Sequence, residues 1–328
     1  MKQIVFIILC VCSLSSHARW TPDSLLARYS CLTVSHPNDY QGEVVSTIIR
    51  HDSIVPRDRG ILYIHGFNDY FFQGALGDSI VNHGWNFRAV DLRRYGRSLR
   101  QGMKRYQARN LTEYFPDIDS AIVEMNQAGM DTIVILAHST GGLIASLYMN
   151  RTPPACVYGL MLNSPFLDWN MNGFTRTILI PIVSCLGSHF PDIPVKQGSS
   201  TSYSKSLLAS HNGEWEFDTG KKLMISPSVT SGWIHAIQEG QKELHSHADI
   251  KVPILLMHSS RSVDGTHASE GDAVLDVSHI SKWGRQLGPD VTEVTVPGGL
   301  HDLILSKPAI RAAVYDAMFR WLDTHYGH

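Results

Sequence analysis

Short runs of apolar and β-branched residues recur along the chain and are separated by more polar segments. They cover residues 44–49, 61–64, 87–92, 132–136, 157–162, 254–257 and 291–296. Between several of these runs, over 110–127 and 143–150, the apolar positions follow the period of a helix. Strands that alternate with helices predict an α/β fold with a mostly parallel central sheet flanked by helices on both faces.

The alternation stops over residues 166–250, where Ser, Gly and aromatic residues dominate and no clear strand is visible. We therefore predict a core formed by residues 19–165 and 251–328, with a cap inserted at 166–250. The large apolar residues of this insertion could line a binding site or pack the cap onto the core, and packing is the simpler interpretation for any one of them. They are Phe166, Trp169, Phe174, Ile180, Phe190, Trp215 and Trp233.

The sequence 137–142, Ala-His-Ser-Thr-Gly-Gly, lies directly after one predicted strand and directly before a predicted helix. A serine at such a position occupies a tight strand-to-helix turn that projects its hydroxyl above the sheet, with the helix N-terminus directed at it. This context predicts that Ser139 is a nucleophile. The Gly-x-Ser-x-Gly pattern of such turns has Ala137 in place of its first glycine, a change that adds one methyl group.

A second segment resembles the loop that holds an oxyanion. The predicted strand 61–64 runs into His65-Gly66-Phe67. Ester cleavage needs two backbone N–H donors for the tetrahedral intermediate, one from the residue after the nucleophile and one from this loop. We therefore predict that Thr140 and Phe67 supply them, and that His65 shapes the loop rather than acting as a base.

The general base should follow the last strand, because the chain order in this type of site is serine, acid, histidine. Residues 294–302 provide an apolar run, a glycine-rich loop and then His301, which we predict to be the base. The acid should follow the strand 254–257, but residues 258–262 contain no carboxylate. We favour Asp272, which precedes an apolar pair and a helix start. Asp264 and Asp276 remain alternatives.

These segments resemble the α/β-hydrolase family, and within it the branch of monoglyceride lipases, lysophospholipases and serine aminopeptidases. The resemblance covers nearly the whole chain after about residue 40 and includes residues 91–98, Asp-Leu-Arg-Arg-Tyr-Gly-Arg-Ser, which are similar to the Asp-x-Arg-Gly-x-Gly-x-Ser loop of that branch. The departures are Arg94 in place of a glycine, Ala137, and the stretch at Arg261 before the acid. The resemblance implies an α/β-hydrolase fold, a cap over the serine, and no metal or organic cofactor.

The composition is that of one globular enzyme-sized unit, with 43% hydrophobic and 18% charged residues. The formal net charge of −2 gives no electrostatic reason to expect nucleic acid as a partner. The 17 histidines show no zinc-ligand spacing, so no metal site is predicted.

Residues 1–18 combine Lys2, an apolar run and a small-x-small pattern at 16–18, and are predicted to be a signal peptide. The apolar run is much shorter than the ~20 residues that span a bilayer. We therefore expect export to a periplasmic or extracellular location. Cys31, Cys156 and Cys185 would then remain, and they can form at most one disulfide.

We predict that the partner is a small-molecule acyl ester, such as a lysophospholipid or monoacylglycerol, because an apolar cap suits an acyl chain. The prediction leaves open a transient contact with a lipid surface and includes no protein partner. A peptidase of the same fold would need a carboxylate in the cap to bind a free amine, for which Glu214, Glu216 and Asp218 are candidates. A binding protein that has lost activity is the remaining alternative.

Overall fold

The computed structural model describes residues 19–198, 200–211 and 213–327. The predicted signal peptide, residues 1–18, lies outside this range and stays a prediction. No helix within the described residues has the length and apolar character needed to span a bilayer. Cys31, Cys156 and Cys185 carry free thiols.

A nine-stranded sheet forms the centre of the molecule, in the order β1-β2-β3-β5-β4-β6-β7-β10-β11. The first three neighbouring pairs are antiparallel and the remaining five are parallel. The strands are β1 (Thr21–Pro22), β2 (Tyr29–Asp39), β3 (Gly42–His51), β4 (Arg59–Ile64), β5 (Asn86–Asp91), β6 (Thr132–His138), β7 (Val157–Asn163), β10 (Ile254–Ser259) and β11 (Val291–Val296). Two further strands, β8 (Pro194–Val195) and β9 (Val229–Thr230), pair with each other.

Eight α-helices accompany the strands in the described part of the chain. They are α1 (Gly74–Asn82), α2 (Phe115–Gln127), α3 (Thr140–Arg151), α4 (Ile180–His189), α5 (Ser202–Leu207), α6 (Ser231–His247), α7 (Val277–Gly284) and α8 (Pro308–Tyr326). Short 3₁₀ turns lie at Gly96–Ser98, Leu111–Tyr114, Gly265–His267 and Leu303–Leu305, and a π-helical turn at Thr175–Leu179 precedes α4.

The sheet separates two apolar cores, as the alternation of side chains along a strand requires. In β6, Ile133 and Ile135 belong to the core shared with α2, α3, α6 and α7. Their neighbours Val134 and Leu136 face the core shared with α1 and α8. Every one of these four side chains is fully buried. The prediction of a mostly parallel sheet covered by helices on both faces is therefore confirmed.

The predicted strands all form, and the structure adds strands that the apolar pattern does not predict. The pattern contains no run before residue 44, whereas β2 pairs with β3 over most of its length. Its alternate residues Leu32 and Val34 are buried while most of its other side chains stay partly or fully exposed, so the strand carries only a weak apolar signal. The insertion also contains the paired strands β8 and β9, each only two residues long.

Residues 166–250 lie between β7 and β10 and carry α4, α5 and α6. Of these, α6 packs on α3 and contributes Trp233, Ile234 and Ile237 to the same core as the sheet. The predicted cap, which ends at residue 250, therefore includes a helix, α6, that covers the sheet directly before β10.

Candidate active site

Ser139 lies at the turn between β6 and α3 in a left-handed backbone conformation, with φ 53° and ψ −119°. A non-glycine residue is rarely found there, and the surrounding structure must hold it in place. Ser139 N–H donates to the carbonyl of Asn163 at 3.0 Å, and its own carbonyl accepts from Phe166 N–H at 2.9 Å. These bonds tie the turn to the end of β7.

Close approach of α3 to the loop after β4 explains the glycine at 141. A Cβ at Gly141 would lie 2.2 Å from the carbonyl oxygen of His65. The helix N-terminus is therefore seated directly against the His65-Gly66-Phe67 loop. His65 is buried and its Nε2 accepts from Leu92 N–H at 3.1 Å, so its ring fixes this loop to the end of β5.

His301 reaches Ser139 from the loop after β11. Its Nε2 lies 2.9 Å from the Ser139 Oγ. Both side chains are mostly shielded from solvent, with residue exposures of 3% and 8%. The loop is held by Leu300 N–H, which donates to the Ser306 hydroxyl at 3.0 Å.

Asp272 completes the chain of hydrogen bonds. Its Oδ2 lies 2.9 Å from His301 Nδ1, and the carboxylate is fully buried. The second oxygen, Oδ1, accepts from the N–H groups of Val274 and Leu275, each at 2.8 Å. Two backbone donors and the imidazole thus satisfy the carboxylate and fix its orientation.

The late position of Asp272 in the sequence follows from a loop whose two ends meet. Asp272 N–H donates to the carbonyl of Arg261 at 3.0 Å, and Val263 N–H donates back to the carbonyl of Asp272 at 2.8 Å. The chain therefore leaves β10, runs out and returns, so that Asp272 lies beside the residues that directly follow the strand. The stretch at Arg261 displaces the acid in sequence while leaving it near the end of β10.

The two alternative acids lie elsewhere. Asp264 is exposed and accepts from the hydroxyl and N–H of Thr266, bonds that lower its pKa to about 2. Asp276 caps the N-terminus of α7 by accepting from Ser278 N–H at 2.9 Å. Neither makes a contact with His301 like that of Asp272.

Ser139, Thr140, Phe67 and His301 all line one cavity of 440 Å³. Within the described part of the chain, neither Phe67 N–H nor Thr140 N–H donates to a protein acceptor. Both amides are therefore available to a ligand oxygen near Ser139. Such a site can transfer a proton from a hydroxyl to an imidazole while two amides stabilise a developing oxyanion.

The cavity wall is partly apolar. Of the large apolar residues predicted in the insertion, Phe166, Trp169 and Trp233 line it, while Phe174 and Phe190 are largely exposed. Further apolar residues join them from the insertion (Met171), from the core (Phe67) and from the loop that carries Asp272 (Ala273, Val274 and Leu275). Phe166, Trp169 and Trp233 also belong to the buried core, as Ile180 does, and Trp215 packs on a smaller buried cluster, so lining the cavity and packing are not exclusive.

The acidic residues considered for amine binding lie away from this cavity. Glu214, Glu216 and Asp218 are exposed, and the residues between them, Trp215 and Phe217, turn inward. Among the described residues that line the cavity, none is Asp or Glu.

A buried polar cluster lies beside the serine and was not among the predicted site residues. It contains Asp69, His138 and Asp302, whose potential ligand atoms lie within 4.8 Å of one another, and Lys222, whose Nζ donates to Asp69 at 2.9 Å. Burial lowers the pKa of His138, so its ring stays neutral beside these carboxylates. The four positions are far apart in sequence and match no motif. Only the positions of His138, directly before Ser139, and of Asp302, directly after His301, could have indicated it.

The structure also explains the arginine found where the related loop has glycine. Arg94 has φ 66°, a backbone conformation that glycine adopts without strain. Its buried guanidinium donates to the carbonyl of Gln107 at 2.7 Å and pairs with Asp39 and Glu113. These contacts offset the backbone strain and tie the loop after β5 to the edge of β2.

Comparison with solved structures finds the same fold in several hydrolases. A monoglyceride lipase from Saccharomyces cerevisiae, in complex with a substrate analog, is 18% identical, with a TM-score of 0.64 over 89% of this chain and 96% of that chain. A monoacylglycerol lipase from Paleococcus ferrophilus is 18% identical, with a TM-score of 0.62 over 90% and 99%. A thermostable carboxyl esterase from Bacillus coagulans is 16% identical, with a TM-score of 0.60 over 90% and 98%.

At these identities the three structures establish the α/β-hydrolase fold alone. A search of the curated proteins found no match. The family model described as serine aminopeptidase, S33, matches residues 56–308, which include Ser139, Asp272 and His301. The chain therefore belongs to the serine aminopeptidase S33 family of α/β-hydrolases.

Proposed function

We propose that this protein is a serine hydrolase that cleaves carboxylic esters through an acyl-enzyme. The observation that carries the proposal is the continuous link from Asp272 through His301 to Ser139, with both hydrogen bonds 2.9 Å long. A neutral serine hydroxyl is a poor nucleophile, and an adjacent oriented base is what activates it.

In the proposed reaction, Ser139 Oγ attacks the acyl carbonyl while its proton passes to His301 Nε2. Asp272 stabilises the imidazolium, and the N–H groups of Phe67 and Thr140 hold the oxyanion. The imidazolium then protonates the alcohol, which leaves as the C–O bond breaks. Water attacks the acyl-enzyme with His301 again as the base, releasing the carboxylic acid and restoring Ser139.

The proposed substrate carries an apolar acyl chain, as in a lysophospholipid or monoacylglycerol. The aromatic and aliphatic residues of the cavity wall support this choice, because burial of each CH₂ contributes about 0.8 kcal/mol. Structural likeness to two lipases of monoacylglycerols points in the same direction. A peptidase remains the alternative, and the absence of an acidic residue among the described cavity-lining residues disfavours it.

A lipid surface is the proposed source of such substrates. The π-helical turn, α4 and the residues that directly flank them carry exposed apolar side chains spaced four residues apart, which we call the apolar stripe: Phe174, Ile178, Ile182, Leu186 and Phe190, with exposures of 66%, 46%, 53%, 46% and 61%. A contiguous exposed row of large apolar residues is typical of an interaction site. If the protein bound to a membrane surface through the apolar stripe, these side chains would be removed from water.

A fluorophosphonate probe tests the nucleophile. It should label the wild-type protein covalently and fail to label Ser139→Ala, because the probe reacts with an activated serine hydroxyl. Labelling would be measured by the mass of the intact protein, with Ser184→Ala as the control, since the Ser184 hydroxyl also lies close to a histidine ring, that of His235 at 3.1 Å. Equal labelling of wild type and Ser139→Ala would refute the mechanism.

The acid can be tested by comparing three isosteric changes. Asp272→Asn should lower kcat by about 10⁴-fold, because the amide cannot stabilise the imidazolium and favours the wrong imidazole tautomer. Asp264→Asn and Asp276→Asn should stay within about twofold of wild type, since the first is on the surface and an Asn still caps α7. Steady-state hydrolysis of a soluble p-nitrophenyl ester provides the measurement. A larger loss in either control than in Asp272→Asn would assign the acid elsewhere.

Substrate class is tested with p-nitrophenyl esters of increasing chain length and with aminoacyl-nitroanilides. The value of kcat/KM should rise several-fold per added CH₂ until the cavity is filled, given about 0.8 kcal/mol per buried CH₂. Hydrolysis of the anilides should be much slower. A preference for the anilides would favour the peptidase.

The lipid contact is tested by co-sedimentation with phosphatidylcholine vesicles. The double change Ile178→Ser with Ile182→Ser should weaken binding at least about tenfold, because each isoleucine loses the gain from burial. Val123→Ser, an exposed apolar residue on α2, is the matched control and should bind as wild type does. Unchanged binding of the double variant would remove the proposed surface contact.

A further inference from the structure

Lys222 brings a positive charge into the cavity that contains Ser139. The residue comes from the segment between α5 and β9, is only 6% exposed, and lines the cavity together with Ser139 and His301. Within the described part of the chain its Nζ donates to a single acceptor, Asp69 Oδ1, at 2.9 Å. An ammonium has three N–H donors, so two remain for a ligand in the cavity.

The segment that carries Lys222 is fixed to the core on both sides. Asp218 N–H donates to the Tyr70 hydroxyl at 2.9 Å. Asn68 accepts from Leu223 N–H at 2.9 Å and donates to the carbonyl of the same residue at 2.8 Å. A side chain held by bonds on both sides is already oriented before a ligand arrives, which is what a recognition group requires.

Asp69 lies behind this donor and does not itself line the cavity. It is 1% exposed, and its Oδ2 has no hydrogen-bond partner among the described residues. A buried carboxylate is costly unless it is paired, so Asp69 holds the ammonium of Lys222 beside it. The pair therefore presents the remaining N–H donors of Lys222 to the cavity, and the oxygen of a ligand hydroxyl can accept from them.

The buried charges near this pair disfavour an anionic ligand. Asp302 is a second buried carboxylate, and its oxygens accept from Asn163 Nδ2 at 2.7 Å and Gln73 Nε2 at 3.3 Å. With His138 neutral, the charges of Asp69, Asp302 and Lys222 leave one net negative charge. A phosphate would meet this excess at low dielectric, whereas a neutral hydroxyl would not. Because Lys222 neutralises Asp69, the pair also lacks the unpaired carboxylate that would bind a peptide amine.

We propose that Lys222, held by Asp69, is a specificity-determining residue that binds a free hydroxyl of the alcohol portion of the ester. The inference rests on the proposed ester hydrolase function and narrows its substrate class. It selects uncharged esters of alcohols that keep at least one free hydroxyl, such as glycerol monoesters, over phosphate-bearing lysolipids and over esters of simple alcohols.

Lys222→Met tests the inference with three octanoyl esters: the glycerol monoester, the methyl ester and the ester of glycerol 3-phosphate. Wild type should prefer the glycerol monoester to both others. In the variant, the ratio of kcat/KM for the glycerol monoester to that for the methyl ester should fall at least about tenfold, as expected for a lost hydrogen bond to a charged group. Lys221→Met is the matched control, because Lys221 is more exposed, pairs with Asp218 and does not line the cavity.

The outcomes separate the inference from the proposed function. An unchanged ratio, with both esters slowed equally in Lys222→Met, would assign Lys222 a structural role and overturn the inference while leaving the hydrolase intact. A wild-type preference for the glycerol 3-phosphate ester that is lost in Lys222→Met would overturn it in favour of phosphate binding. Failure of wild type to hydrolyse any of the three would refute the proposed function, and the inference with it.

Loss of Lys222 leaves Asp69 buried and unpaired, which destabilises the folded protein, so a second variant separates folding from recognition. The double variant Asp69→Asn with Lys222→Met removes both charges and avoids this penalty. Its thermal unfolding should resemble that of wild type more closely than that of Lys222→Met, and its ester ratio should fall to the same extent. A double variant that folds and keeps the wild-type ratio would overturn the inference.

Discussion

The left-handed backbone at Ser139 is the constraint to which the rest of the site is fitted. A serine does not adopt φ 53° without cost, and the turn persists because its N–H and carbonyl are both bonded to the chain around the end of β7. The same turn brings α3 against the loop after β4 so closely that residue 141 has no room for a side chain beyond hydrogen. The strained turn, the proposed oxyanion loop and the helix N-terminus are thus one packed unit.

Parallel strand order then brings the remaining groups to this unit. Strands β4, β6, β10 and β11 run in the same direction, so the segments that leave their carboxyl ends meet at one edge of the sheet. Phe67 follows β4, Ser139 follows β6, and Asp272 and His301 follow the last two strands. The direction of the strands, rather than sequence proximity, joins residues that are 29 and 162 positions apart.

This dependence on topology decides what the sequence could reveal. The strands of the sheet centre were predictable because they are apolar on both faces, and Ser139 and His301 because each has a recognisable local context. Strand β2 was missed because most of its residues are partly or fully exposed, which leaves only a weak apolar signal in the sequence. Asp272 could be favoured but not separated from its neighbours, since the loop from Arg261 closes through backbone hydrogen bonds that no side-chain pattern indicates. Lys222 and Asp69 could not be found at all, because their pairing depends on how the segment after α5 returns to the core.

The insertion, residues 166–250, also contributes polar side chains to the cavity. Ser139, His301 and Asp272 belong to the core and its loops. These three residues account for the proposed chemical step but do not determine which ester binds. Tyr203 from α5 accepts from Asp302 N–H at 3.0 Å, next to His301, and Lys222 reaches Asp69 close to His138. The insertion therefore contacts Asp302, directly after His301, and Asp69, whose carboxylate lies within 4.8 Å of the ring of His138, directly before Ser139. The buried ammonium of Lys222 also neutralises Asp69, one of the two carboxylates beside the neutral ring of His138. Without it, Asp69 and Asp302 would both be unpaired negative charges in a buried site, where charges interact strongly. Substrate recognition and the electrostatic balance of the site thus depend on the same side chain.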